Sequence, residues 1–336
     1  MKKKDRPASR CAVGTAVAEG EWGQGSVNNG GPLQLGLRMP RMEGDPSMTL
    51  EQRFDTGEFV IIAEMEPPKG VNVTEMVGHA KRVKERVAAF LVPEMNQAVM
   101  RMSALGGAMV LREQGMEAVM QVCCRDRNRL ALQGDLLGAG ACGIRNVIVV
   151  GGEDPSYGDH HQARAVHDIT PIELLKVIQG LAAGRDMAGV ELNGAPQFLV
   201  GATTQAGGRG RSAELEAEET AALAAAGARF LITPPLFDIE LIRPFMRRID
   251  PQRTIILPTV LLLKSLGMAR YIERNMPHIF IPPEIIDRIQ RSPEKVRECV
   301  RIAIELVGRL KAEGFRGVLL STLGWEHKLP DIVEAV

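Results

Sequence analysis

The feature that most constrains this chain is a repeat. From residue 59 onward, eight short runs of bulky apolar residues alternate with longer stretches of helical period. The runs occupy 59–65, 88–93, 117–123, 146–150, 197–202, 229–233, 254–260 and 317–321. Their near-continuous apolar character is that of strands buried on both faces, as in a parallel sheet covered by helices. Helices are expected over 73–86, 101–114, 128–142, 170–183, 212–226, 238–248, 264–275 and 283–312, the last with a possible break at Ser292-Pro293. Each run but the final one leads into a helix. Eight such units predict an α/β fold, a closed (β/α)8 TIM barrel, with an open doubly wound sheet as the alternative. Two features favour closure: no G-x-G-x-x-G follows the first run, and polar or charged residues cluster just after the strand ends.

A chain of 336 residues suits one such barrel, so a single catalytic domain over 51–336 is expected. Residues 1–50 are rich in Gly, Asn, Ser, Pro and Arg without any period, and read as a disordered or spurious extension. Met48 is an alternative start, since 48–53 open a short helix. The 41 basic and 41 acidic residues cancel, which removes the footprint of a nucleic-acid or anionic-membrane binder. No run approaches the ~18 apolar residues of a membrane span, and the basic start lacks an apolar segment after it. Cys11, Cys123, Cys124, Cys142 and Cys299 form neither an even set nor a C-x-x-C pair. They read as reduced thiols of a cytoplasmic protein.

In a closed barrel the chemistry belongs to the loops at the C-terminal ends of the strands. The first run ends Glu64-Met65-Glu66-Pro67-Pro68. The prolines stop the strand, and the alternation places Glu64 and Glu66 on one side. If that side faces the barrel mouth, burial beside a second carboxylate raises a carboxyl toward the range of a general acid. The competing interpretation is a solvated pair of charges. The third run leads into Arg125-Asp126-Arg127-Asn128-Arg129 at a helix start, where arginine opposes the helix dipole and calls for a counter-charge, either a phosphate or nearby carboxylates such as Asp126 and Asp135. The fourth run ends Gly151-Gly152-Glu153, where glycines allow close approach of a flat ligand. His160-His161 beyond it have no third ligand at metal spacing, so no metal is expected. The fifth leads to Gln205-Ala206-Gly207-Gly208-Arg209-Gly210-Arg211, either a phosphate cradle or a mobile loop. The sixth ends Thr233-Pro234-Pro235-Leu236-Phe237, either an apolar wall for a ring or a simple strand stop.

In this order the segments resemble the methylenetetrahydrofolate reductase family, especially its short bacterial form without a regulatory domain. The matching pieces are Arg101-Met102-Ser103, Cys124-Arg125-Asp126-Arg127-Asn128, Leu136-Leu137-Gly138, Gly143-Ile144-Arg145-Asn146-Val147, Gly158-Asp159-His160, Ala226-Gly227-Ala228-Arg229-Phe230 and Gly324-Trp325-Glu326. The resemblance implies a flavin, FAD or FMN, whose N5 passes a hydride to the methylene carbon of methylenetetrahydrofolate, giving methyltetrahydrofolate. It implies Glu64 as the acid that protonates the folate nitrogen as the ring opens. Gln121, Cys123, Gly151, Gly152, Glu153, Val166, His167, Thr203 and Gln205 match positions around the flavin. Glu66, Glu153, Thr233, Pro234 and Phe237 are the expected folate contacts. Electrons are expected from NAD(P)H or from an iron–sulfur partner subunit, and the chain is expected to form a homo-oligomer.

Four departures qualify what the resemblance implies. Pro234 stands where the family has a pterin-binding glutamine, Glu153 where it has an aspartate, and the seventh run lacks the usual Pro-Gly pattern. Ala221 and Leu223 also replace lysines, one of them near the cofactor phosphates, for which Arg209 or Arg211 is a candidate substitute. The alternative is a paralogous flavoprotein subunit that reduces another C1 carrier or passes electrons within a larger redox complex.

Overall fold

The computed structural model describes residues 48–336; the expectations for 1–47, Cys11 among them, lie outside these. Eight parallel strands close in sequence order, β1 pairing with both β2 and β8. They are β1 (Val60–Glu64), β2 (Ala89–Val92), β3 (Ala118–Cys123), β4 (Asn146–Val150), β5 (Leu199–Thr203), β6 (Phe230–Pro235), β7 (Ile255–Leu261) and β8 (Gly317–Ser321). The closed barrel of the sequence expectation is therefore observed, and the open sheet is not.

Around it lie α1 (Leu50–Thr56), α2 (Thr74–Val83), α3 (Ala104–Glu113), α4 (Arg129–Ala141), α5 (Pro171–Ala182) and α6 (Ala213–Ala225). There follow α7 (Arg243–Met246), α8 (Leu266–Asn275), α9 (Pro283–Arg291), α10 (Lys295–Ala312) and α11 (Leu329–Val333). Three differences from expectation have local causes. The irregular N-terminal stretch does not reach residue 50: Thr49 caps α1 by accepting the Gln52 N–H, and Leu50 is fully buried. The helix expected from 101 starts at 104 because Ser103 is its cap. The expected 238–248 helix is a 3-10 turn followed by the four residues of α7, with Pro244 in its first turn. Ser292-Pro293 does separate α9 from α10. A short helix, α11, also follows the last strand.

Two cores sit on opposite faces of the sheet. Val60, Ile62, Ala89, Leu91, Val119, Ile148, Leu199, Phe230, Ile232, Ile255, Leu257 and Leu319 fill the barrel. A larger layer joins the outer face to the helices. Leu50 and Phe54 of α1 belong to the inner cluster, with the Phe54 ring 5.8 Å from that of Phe230, so α1 closes the N-terminal end. Because strand side chains alternate, the inner set places Glu64, Gln121, Thr203, Pro234, Thr259 and Ser321 next in line toward the other end. The interior thus changes from apolar to polar at that mouth.

Candidate active site at the C-terminal mouth

Glu64 is the last residue of β1 and is 8% exposed. The Ser321 hydroxyl, at the end of neighbouring β8, donates to its Oε1 at 2.9 Å. Burial pushes the carboxyl up to about 7, Ser321 pulls against that rise, and the nearby charges of Glu66 and Glu326 add to it. Glu66, half-buried two residues on, pairs with Arg101 at 3.0 Å. Its carboxyl is also raised, by burial first, with Arg101 and Lys264 opposing and Glu326 adding. The shared side inferred from the alternation is therefore present, and the solvated pair of charges is not.

The segment after β8 folds back over this corner. Gly324 adopts φ +87°, and a Cβ there would lie 3.4 Å from the Glu66 carboxylate. The turn returns Glu326, 8% exposed, to the carboxylates. Lys264 donates to the Leu323 carbonyl and lies 5.6 Å from the centre of the Trp325 ring. Ser321 and Lys264 carried no sequence signal; Arg101 and Glu326 lay inside the family-like segments without a role attached. Ser321, Lys264 and Glu326 gain one only through closure, which brings β8 against β1, and Arg101 through the pairing of β2 with β1.

The arginines at the start of α4 are held by carboxylates. Arg125 is 1% exposed and is bonded to Asp126, to the carbonyl and carboxylate of Glu153, and to the Met95 carbonyl. Arg127 pairs with Asp135 at 2.9 Å and with buried Glu94 at 3.2 Å; Arg129 pairs with Asp168 at 2.9 Å. Of the two counter-charges weighed from sequence, the structure supplies the carboxylates. Asp159 ties further loops together, accepting from Met100 N at 2.9 Å and pairing with Lys69. These hydrogen bonds hold its carboxyl well below the usual range.

The expected flavin-contacting residues divide into two groups. Glu153, Val166, His167, Thr203 and Gln205 are exposed around the mouth, although Thr203 ends an otherwise buried strand. Gln121 lies among them, its carboxamide oxygen accepting Glu94 N–H at 2.6 Å. Gly151 has open space: a Cβ there would meet only Pro171, at 3.9 Å. Gly152 differs, because φ is +89° and a Cβ would lie 2.5 Å from Cys123 Sγ and 2.7 Å from Arg125 Cβ. Its glycine is required by the protein's own packing. Cys123, 1% exposed beneath it, has a thiol that burial pushes up to about 12.

The expected folate contacts divide similarly. Glu66, Glu153 and half-buried Pro234 lie at the mouth. Thr233 is buried, its hydroxyl bonded to the Pro234 carbonyl and to Thr259 N, which ties β6 to β7. Phe237 is 3% exposed within the layer between sheet and helices, so the apolar wall expected of it is core instead. In the Gly-rich loop, Arg209 lies over the Phe280 ring and Arg211 pairs with Glu219, so both candidate substitutes for the missing lysines have protein partners. Among the described residues no helix is long and apolar enough to cross a membrane.

Among solved structures, an EDTA monooxygenase from Chelativorans sp. BNC1 superimposes with a TM-score of 0.52 at 12% identity, covering 82% of this chain and 93% of that one. At that identity the likeness concerns the fold. No curated protein matches the sequence. The family profile described as methylenetetrahydrofolate reductase matches residues 49–336, the whole barrel with α1. The chain belongs to the methylenetetrahydrofolate reductase family, a family of oxidoreductases.

Proposed function

We propose that this protein is a flavin-dependent reductase that converts 5,10-methylenetetrahydrofolate to 5-methyltetrahydrofolate, with Glu64 as its general acid. The observation that carries this reading is the Glu64 carboxyl itself: buried at the centre of the polar mouth, bonded to one hydroxyl, and raised to about 7. A carboxyl in that range is still substantially protonated near neutrality and can give up its proton without a large penalty. Glu64 would protonate the folate nitrogen whose bond to the methylene carbon opens.

The residues at the mouth fit a flavin. Gly151 leaves room for a flat ring against the backbone, and Gln121, Glu153, Val166, His167, Thr203 and Gln205 surround that space with exposed or half-exposed surface. Gly151, Gln121 and Thr203 would hold the ring, and His167 and Gln205 its polar chain. Bound there, FAD or FMN supplies the hydride. The two faces of the site would then be the flavin on the β3–β5 side and the acid on the β1–β8 side. Electrons would come from NAD(P)H or a partner subunit.

Pro234 favours a second reading, in which the carrier is a different C1 compound. Proline has no N–H to donate, and its carbonyl already accepts the Thr233 hydroxyl. Stopped-flow mixing of the reduced flavoprotein with methylenetetrahydrofolate tests the first reading. Rapid return of the oxidised flavin spectrum is expected. A flavin that stays reduced with this folate defeats that reading in favour of another carrier.

A further inference from the structure

Glu64 receives one hydrogen bond among the described residues, and Ser321 is the donor. Its carboxylate neighbours are provided differently: Glu66 has Arg101, and Glu94 has both Arg127 and the Ala104 N–H. Among the described residues no cation is paired with Glu64. The groups around it are Glu66 just past the end of its strand, Glu326 from the segment after β8, and apolar Leu91, its register partner on β2. Arg101 and Lys264 act on Glu66. A proton leaving Glu64 therefore creates a buried anion beside two further carboxylates.

Ser321 is placed to meet that charge. It is 4% exposed and inward-facing, on a strand held by β1 on one side and β7 on the other. Its backbone carbonyl accepts Leu262 N–H at 2.9 Å, so the main chain that carries the hydroxyl is held beside β1. Ser321 engages Oε1, and among the described residues Oε2 has no hydrogen-bond partner.

We propose that Ser321 is a positioning residue for Glu64: it fixes one carboxyl oxygen so that the other carries the transferable proton, and it supports the carboxylate left once that proton has gone. The inference rests on reading Glu64 as the acid. No bond of Ser321 is made or broken. The proton passes from Oε2 to the substrate nitrogen, the electron pair of the O–H bond stays on the carboxylate, and the Ser321 hydroxyl keeps its own hydrogen.

The test is an infrared titration of the full-length protein, with matched Glu64→Gln backgrounds subtracted to isolate the Glu64 carboxyl band. It is run on the wild type, Ser321→Ala and the near-isosteric weak donor Ser321→Cys. Loss of a hydrogen bond to a charged group is expected to move the midpoint up by roughly one unit or more in both variants. The alkaline limb of kcat should move with it, kcat should fall about tenfold, and KM should change by less than about twofold. An unmoved midpoint in both variants overturns the proposal alone, even where kcat falls, because loss without a shift is what a structural role gives. Full activity in Glu64→Gln overturns the acid reading and this proposal together.

Discussion

Arg125, in the turn between β3 and α4, holds Glu153, in the loop after β4, by both its carbonyl and its carboxylate, at 3.3 Å each. The same guanidinium reaches the Met95 carbonyl at 3.2 Å, in a loop where Met95, Gln97 and Ala98 all have positive φ. One buried cation thus organises the loops that follow β2, β3 and β4. Non-glycine residues in that region are strained and persist only when their surroundings hold them.

Replacing Arg125 by Met should remove this tie and leave the Met95 and Glu153 carbonyls without their guanidinium donor. A loss of about 1–3 kcal/mol in denaturant unfolding is expected, as for losing hydrogen bonds made by a charged group. A variant as stable as the wild type would show that the loops are held by other contacts.

Glu64→Gln should abolish folate reduction while leaving flavin bound and reducible, since the amide keeps the shape and loses the acidic proton. Single-turnover reoxidation and the absorbance spectrum separate the two effects. Reoxidation at the wild-type rate would remove Glu64 from the mechanism.

The raised carboxyl also links stability to pH. The folded value of about 7 lies above the unfolded value near 4.5, so the neutral acid is favoured in the folded state. This contribution is complete below the unfolded value and is lost as pH rises through the folded one. Between pH 4 and pH 8, the stability of the wild type should fall by about 3 kcal/mol relative to Glu64→Gln. Urea unfolding of both proteins at the two pH values checks this; a constant difference would mean that Glu64 titrates normally.

The two glycines after β4 should respond differently. In Gly152→Ala the new methyl meets Cys123 and Arg125 at a positive φ, and a loss of about 1–3 kcal/mol is expected. In Gly151→Ala the methyl meets open space within the protein, so thermal stability without cofactor should hold while flavin affinity falls. Unchanged flavin titration in Gly151→Ala would place the ring elsewhere.

Much of this architecture was legible because a strand buried on both faces must be apolar throughout. All eight strands lie within one or two residues of the apolar runs, and Glu64 and Glu66 follow from alternation and the Pro67-Pro68 stop. Pairings between distant segments were not legible. Glu64 and Ser321 are 257 positions apart, and no local pattern marks a serine that ends a strand as the partner of an acid. The α4 arginines posed the same difficulty, since Glu94 and Asp168 answer them from other loops. Phe237 misled for a related reason: an aromatic after two prolines reads alike whether it faces a ligand or the helices, and here it faces the helices.

The helix that closes the bottom of the barrel has a kinetic meaning. With Leu50 and Phe54 sealed against Phe230 and a filled inner core, the barrel offers a ligand one rim, the C-terminal one. On the proposed reading, the hydride donor and the folate would both have to approach Glu64 across that same rim.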